Sequence, residues 1–145
     1  DENELETEIL ASEPGIHQEI GKMANLDEIL KQMSAEVTGY IACALVGLDG
    51  LNIASHTSDM AANPETISAQ LTMLLKLAEA AVEKLGAGVI EDNLTTAEHA
   101  YILMRFLPGK QYYLSMAAHR KTGNLGNMRL ISRIYAERLS QAMPQ

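Results

Sequence analysis

"YIACALVGLDGLNIASHT", residues 40 to 57, decides the fold. It is a short apolar run, a reverse-turn pair at Asp49-Gly50, and a more polar run closing on His56 and Thr57. "YIACALVG" is too short for a helix and apolar nearly throughout, as a strand covered on both faces should be. Asp49-Gly50 reads as the centre of a type I′ turn, where both residues need positive φ and Asp and Gly tolerate it. "LNIASHT" then returns as a second strand. The bend accounts for Asp49 and the strand end accounts for His56, so neither is read as catalytic.

Upstream, Asn25 reads as the N-cap of a first helix over about 25–36, with Asp27 and Glu28 in its first turn. Leu26, Ile29, Leu30, Met33 and Val37 share one face, and Gly39 ends the element. Downstream, "SDMAANPE" breaks the chain; Asn63 caps and Pro64 takes the first helical position, where its missing N–H costs nothing. That helix runs to about Leu85, with Gly86 as its stop. Three strands follow: "GVIEDNLT" (88–95), "HAYILMRFL" (99–107) and "QYYLSMAA" (111–118). After "TGNLG" a last helix spans about 124–143, with Met128, Ile131, Tyr135, Leu139 and Ala142 on one face.

The order is αββαβββα. Strands 40–47, 99–107 and 111–118 are apolar and belong inside the sheet; 51–57 and 88–95 are polar and belong at its edges. One order satisfies the hairpins and both edges: a five-stranded antiparallel sheet, 2-1-5-4-3. The expected architecture is an α/β (α+β) sandwich with one helix on one face and two on the other, in a single domain over 25–143.

The middle helix is unusual. On a wheel of about 100° per residue, Glu65, Ser68, Thr72, Lys76, Glu79 and Glu83 fill a polar arc, and the helix is apolar over roughly 240°. An ordinary surface helix has one stripe a little over 100° wide. Ile67, Leu71, Leu74, Leu75, Ala78, Ala81, Val82 and Leu85 are expected to meet the sheet. Either the helix is simply well buried, or its smaller face, with Ala69, Met73, Leu77 and Ala80, meets a second copy of the chain. We favour the second arrangement. The edge strand, with Val89, Ile90 and Glu91, can then pair with its twin, which also covers an exposed edge.

The chain has 145 residues and a net charge of −8, of which residues 1–24 contribute −6. Those residues are expected to be an acidic leader, flexible or loosely docked and broken at Pro14-Gly15. The near-neutral remainder lacks the basic footprint of a nucleic-acid binder. No apolar run approaches the ~20 residues of a membrane helix. One cysteine and no signal-like start favour a reducing, cytoplasmic setting.

Catalytic signals are sparse. Cys43 sits mid-strand as a small core residue. His17, His56, His99 and His119 lack metal-ligand spacing, and no phosphate-binding loop is present. No catalytic residue, cofactor or metal is expected. Arg105 is the odd charge in an apolar strand; it reaches solvent or pairs with Glu91 or Glu98. Arg120, Lys121, Arg129, Arg133 and Arg138 form a mild basic cluster, read as a solvated face or as a receiver for an acidic segment.

"LVGLDGLNIASH", "NPETISAQLTMLLKLAEAAVEKLGAG" and "TGNLGNMRLISRIYAERL" together resemble the roadblock/LC7 family over residues 25–143. They are most similar to its prokaryotic members that regulate the polarity GTPase of gliding bacteria. The resemblance implies the same αββαβββα fold and a non-enzymatic homodimer that binds a small Ras-like GTPase. It implies activation of that GTPase by reshaping its switch regions, without an arginine finger, or else a scaffold role in a signalling or motility complex. It places the GTPase across the paired middle helices, here at Ala69, Thr72, Met73, Lys76 and Ala80. A third reading, ligand sensing, has few convergent polar groups to support it.

Overall fold

The fold is taken from a computed structural model, which describes residues 14–58 and 64–143. The elements are α1 (Pro14–Glu36), β1 (Tyr40–Gly47), β2 (Asn52–Thr57), α2 (Pro64–Leu85), β3 (Asn93–Thr96), β4 (Ala100–Phe106), β5 (Tyr112–His119) and α3 (Leu125–Ala142). The sheet is antiparallel throughout, in the order β2-β1-β5-β4-β3. This is the expected order, and both polar strands lie at its edges.

α1 and α3 cover one face. Leu26, Leu30 and Met33 of α1, with Val37 just past its end, meet Met128, Ile131, Tyr135 and Leu139 of α3 over Leu45, Leu103, Leu114 and Met116. Among the described residues α2 alone covers the other face, where Leu75 packs with Val46, Met104, Phe106 and Tyr113. Cys43 is buried in the α1–α3 layer, as a core cysteine should be.

Three local expectations need correction. Asn25 is not an N-cap: α1 begins at Pro14 and runs through it. Proline starts helices well, so Pro14 opens the element rather than breaking it. Residues 14–24 therefore belong to a helix, while the rest of the acidic leader, residues 1–13, lies outside the described residues. The hairpin turn is not type I′ either. Gly50 has φ +89, but Asp49 does not have positive φ. Gly50 N–H donates to the Gly47 carbonyl at 2.9 Å, and Gly47 N–H donates to the Leu51 carbonyl at 2.9 Å. That is a three-residue loop, a tight turn followed by a left-handed glycine. Asp49 Oδ1 accepts from Leu51 N–H at 3.0 Å, so the side chain serves this bond rather than a positive φ. Finally, β3 is four residues long and begins at Asn93, not 88.

The "TGNLGNMR" segment ties two helices together. Asn124 caps α3, accepting from Asn127 N–H at 2.8 Å. The Asn127 side chain accepts from Thr38 N–H at 2.9 Å and donates to the Glu36 carbonyl at 3.0 Å, which closes the end of α1. Gly39 has φ +71, and a Cβ there would sit 2.8 Å from Gly123 N.

Candidate protein-interaction face on the second helix

α2 has a sound local basis. Pro64 opens it, Glu65 lies in the first turn and Lys84 in the last. Gly86, at φ +66, ends it, and Gly86 N–H donates to the Glu83 carbonyl at 3.0 Å. The expected cap, Asn63, lies outside the described residues.

The roll of α2 differs from expectation. Ser68 and Thr72, placed in the polar arc, are only 2% and 4% exposed and face the sheet with Leu75. Ile67, Leu74, Ala81 and Leu85, expected to meet the sheet, are exposed. The buried contact of Ser68 and Thr72 is with β5. Tyr113 is wholly buried under the helix, and its hydroxyl lies 2.7 Å from Thr72 Oγ1 and 3.0 Å from the Ser68 carbonyl. Thr72 Oγ1 also donates to the Ser68 carbonyl at 2.7 Å, and Asn52 Nδ2 donates to Ser68 Oγ at 3.2 Å. Burial pushes the Tyr113 phenol up, with the bond to Thr72 opposing. It therefore stays a neutral donor.

That roll turns a large apolar surface outward. Met73 is 67% exposed, Leu77 69% and Leu85 81%, with Ala69 and Ala80 exposed beside them. Single exposed apolar side chains mean little, but a continuous stripe along one helix marks a contact surface. Of the candidate contact residues, Ala69, Met73, Lys76, Leu77 and Ala80 share this outer side. Thr72 does not: it points at Tyr113 and is withdrawn from the set.

The loop that follows α2 leads to the edge strand β3. Val89 and Glu91 are exposed, but neither they nor Ile90 belong to the strand. Gly86 and Gly88 have positive φ, Ile90 turns inward against the α2 layer, and pairing with β4 starts only at Asn93 opposite Met104. The segment is pinned by Asp92. Its Oδ2 accepts from Arg105 Nη2 at 3.1 Å and from Arg129 Nε at 3.2 Å. Arg105 also donates from Nε to Ser132 Oγ at 3.0 Å. The partner of Arg105 is thus Asp92, not Glu91 or Glu98. Glu91 and Asp92 are neighbours in the loop before β3, and that loop turns Asp92 onto Arg105 while Glu91 is exposed. The basic cluster is partly explained as well, since Arg129 joins this clamp and Arg138 lies over the Tyr135 ring at 4.7 Å.

Elsewhere, Tyr40, Cys43 and His56 come together on the α1 side. The Tyr40 hydroxyl donates to the His56 carbonyl at 2.6 Å and lies 2.9 Å from His56 Nδ1. Burial pushes the Cys43 thiol up to about 11, opposite to the shift that activates a nucleophile. Among the described residues no cluster of His, Cys, Asp and Glu is arranged to hold a metal. No helix among them is long and apolar enough to cross a membrane. Beside α2, where the sheet carries Ala42, Ala44, Ser55, Ser115 and Ala117, a cavity of about 300 Å³ opens against Ile67 and Leu71.

No protein-family model matches the sequence, and no curated protein is similar to it in sequence. Solved structures are similar in fold. An MglB with tetrameric arrangement superposes with a TM-score of 0.74 at 18% identity, covering 83% of this chain and 89% of that one. The gliding protein MglB from Thermus thermophilus gives 0.73 at 17% identity, covering 83% and 90%. A roadblock/LC7 domain from Streptomyces avermitilis gives 0.71 at 16% identity, covering 79% and 94%. The chain has the roadblock/LC7 fold.

Proposed function

We propose that this chain is a non-catalytic regulator of a small Ras-like GTPase, acting as a homodimer in the cytoplasm. The observation that carries the reading is the outward apolar stripe of α2, on which Met73 and Leu77 stand exposed. A second copy would cover the stripe, and strand pairing would satisfy the open edge. The sequence resemblance to GTPase regulators and the fold likeness to MglB supply the partner class.

Chemistry would stay in the GTPase. α2 carries no arginine, and the arginines of α3 lie on the opposite face of the sheet. This chain would therefore act by favouring a hydrolysis-competent switch conformation rather than by inserting a charge. Ala69, Met73, Lys76 and Ala80 are the proposed contacts.

The test is single-turnover GTP hydrolysis by small Ras-like GTPases of the same organism, with and without this chain. Acceleration that is lost with Met73→Glu supports an activator. A stable complex without acceleration supports the scaffold reading instead. Neither binding nor acceleration with any such GTPase overturns the proposal.

A further inference from the structure

We infer that Tyr113 is a positioning residue for the contact face: its buried hydroxyl fixes the roll of α2 and so decides whether Ile67, Leu74, Ala81 and Leu85 join Met73 and Leu77 on the face the helix offers to a partner. This rests on the proposed contact face and deepens it.

Two rolls compete. Apolar burial alone favours turning Ile67, Leu74, Ala81 and Leu85 onto the sheet, roughly 50° from the observed roll at about 100° per residue. That turn would lift Ser68 and Thr72 into water, where hydroxyls are satisfied. The sequence therefore contains a wrong roll that looks better by hydropathy than the one adopted.

Tyr113 opposes it. It stands on β5, central in the sheet, and its side chain is 0% exposed. Its hydroxyl bonds to α2, to Thr72 Oγ1 at 2.7 Å and to the Ser68 carbonyl at 3.0 Å. In the competing roll both partners move away, and a buried hydroxyl is left without a bond. Stranding such a group costs more than the bond itself contributes, so the hydroxyl acts chiefly by penalising the alternative. Asn52, bonded to Ser68 Oγ from β2, reinforces the same roll. The outcome is that Met73 and Leu77 stand at the middle of the outer face, with Ala69 and Ala80 beside them.

The test is Tyr113→Phe in the full chain, which keeps the ring and removes the hydroxyl. Methyl NOE spectra read the roll, and sedimentation equilibrium reads self-association. The expected result is new cross-peaks from Ile67 and Leu74 methyls to Val46 and Met104, with self-association weakened by about tenfold or more. Thr72→Val should keep the original cross-peaks, because the Ser68 carbonyl still accepts from Tyr113. Tyr113→Phe with Leu74→Gln should restore them, because the competing face loses its apolar advantage. Unchanged cross-peaks in Tyr113→Phe, at intact self-association, overturn the inference and leave the contact face standing. If the unaltered chain does not self-associate, the contact face fails while the cross-peaks still decide the roll.

Discussion

Replacing Asp92 with alanine should destabilise the domain by about 2–4 kcal/mol, because it strands a nearly buried guanidinium. The Arg105 side chain is 12% exposed and that of Asp92 16%. The Arg105 bond is charge-assisted and worth about 1.5–3 kcal/mol. The Arg129 bond adds at most about 1 kcal/mol, since that side chain is 44% exposed and screened by water. After the change, Arg105 keeps only the Ser132 hydroxyl among the described residues. Replacing both members, Asp92→Ala with Arg105→Met, should recover most of the loss, since no charge is then left buried. The assay is urea unfolding of the four proteins of this double-mutant cycle, with a midpoint drop of roughly 1–2 M for Asp92→Ala alone. The reasoning is refuted if Asp92→Ala costs under about 1 kcal/mol, or if the double variant loses the sum of the two single changes.

Three further outcomes are expected. The Cys43 thiol ionises near its ordinary 9.0 when unfolded and near about 11 in the fold. Its contribution is therefore full below pH 9 and lost as pH rises through 11, a fall of about 2–3 kcal/mol that Cys43→Ala should remove in alkaline unfolding curves. Gly39→Ala meets a left-handed φ and backbone atoms of Gly123 at 2.8–2.9 Å, so thermal denaturation should show a loss of about 2–4 kcal/mol. Asn127→Ala removes both bonds that close α1, and a loss of about 1–2 kcal/mol with faster amide exchange at residues 36–38 should follow; unchanged exchange would count against the bridging role.

Much of this fold was legible because its signals are local. Pro64 and Gly86 bracket α2 within one residue of its observed ends. The polar edges and three hairpins allowed one strand order, and the sheet has it. Where the reading slipped, a local signal had two meanings. Pro14-Gly15 is both a break and a helix start; the continuing spacing of Ile16, Ile20, Met23, Leu26, Leu30 and Met33 was the signal for the latter. Asp49-Gly50 fits both a two-residue and a three-residue loop, and the Gly47–Leu51 hydrogen bond and the φ of Asp49 separate them. Residues 88–92 have strand composition, but Asp92 is drawn to Arg105 and Arg129 rather than into a ladder.

The sequence by itself determined which segments form elements, which strands lie outside, and that α2 carries more apolar surface than one sheet requires. Tertiary structure alone decided that Ile67, Leu74, Ala81 and Leu85 face out as well. Hydropathy ranks the possible rolls of a broadly apolar helix by buried area, and the differences between them are small. A single hydroxyl on Tyr113, 41 residues from Thr72 in sequence, breaks that near-tie, because a buried polar group must find its partner wherever the chain supplies it.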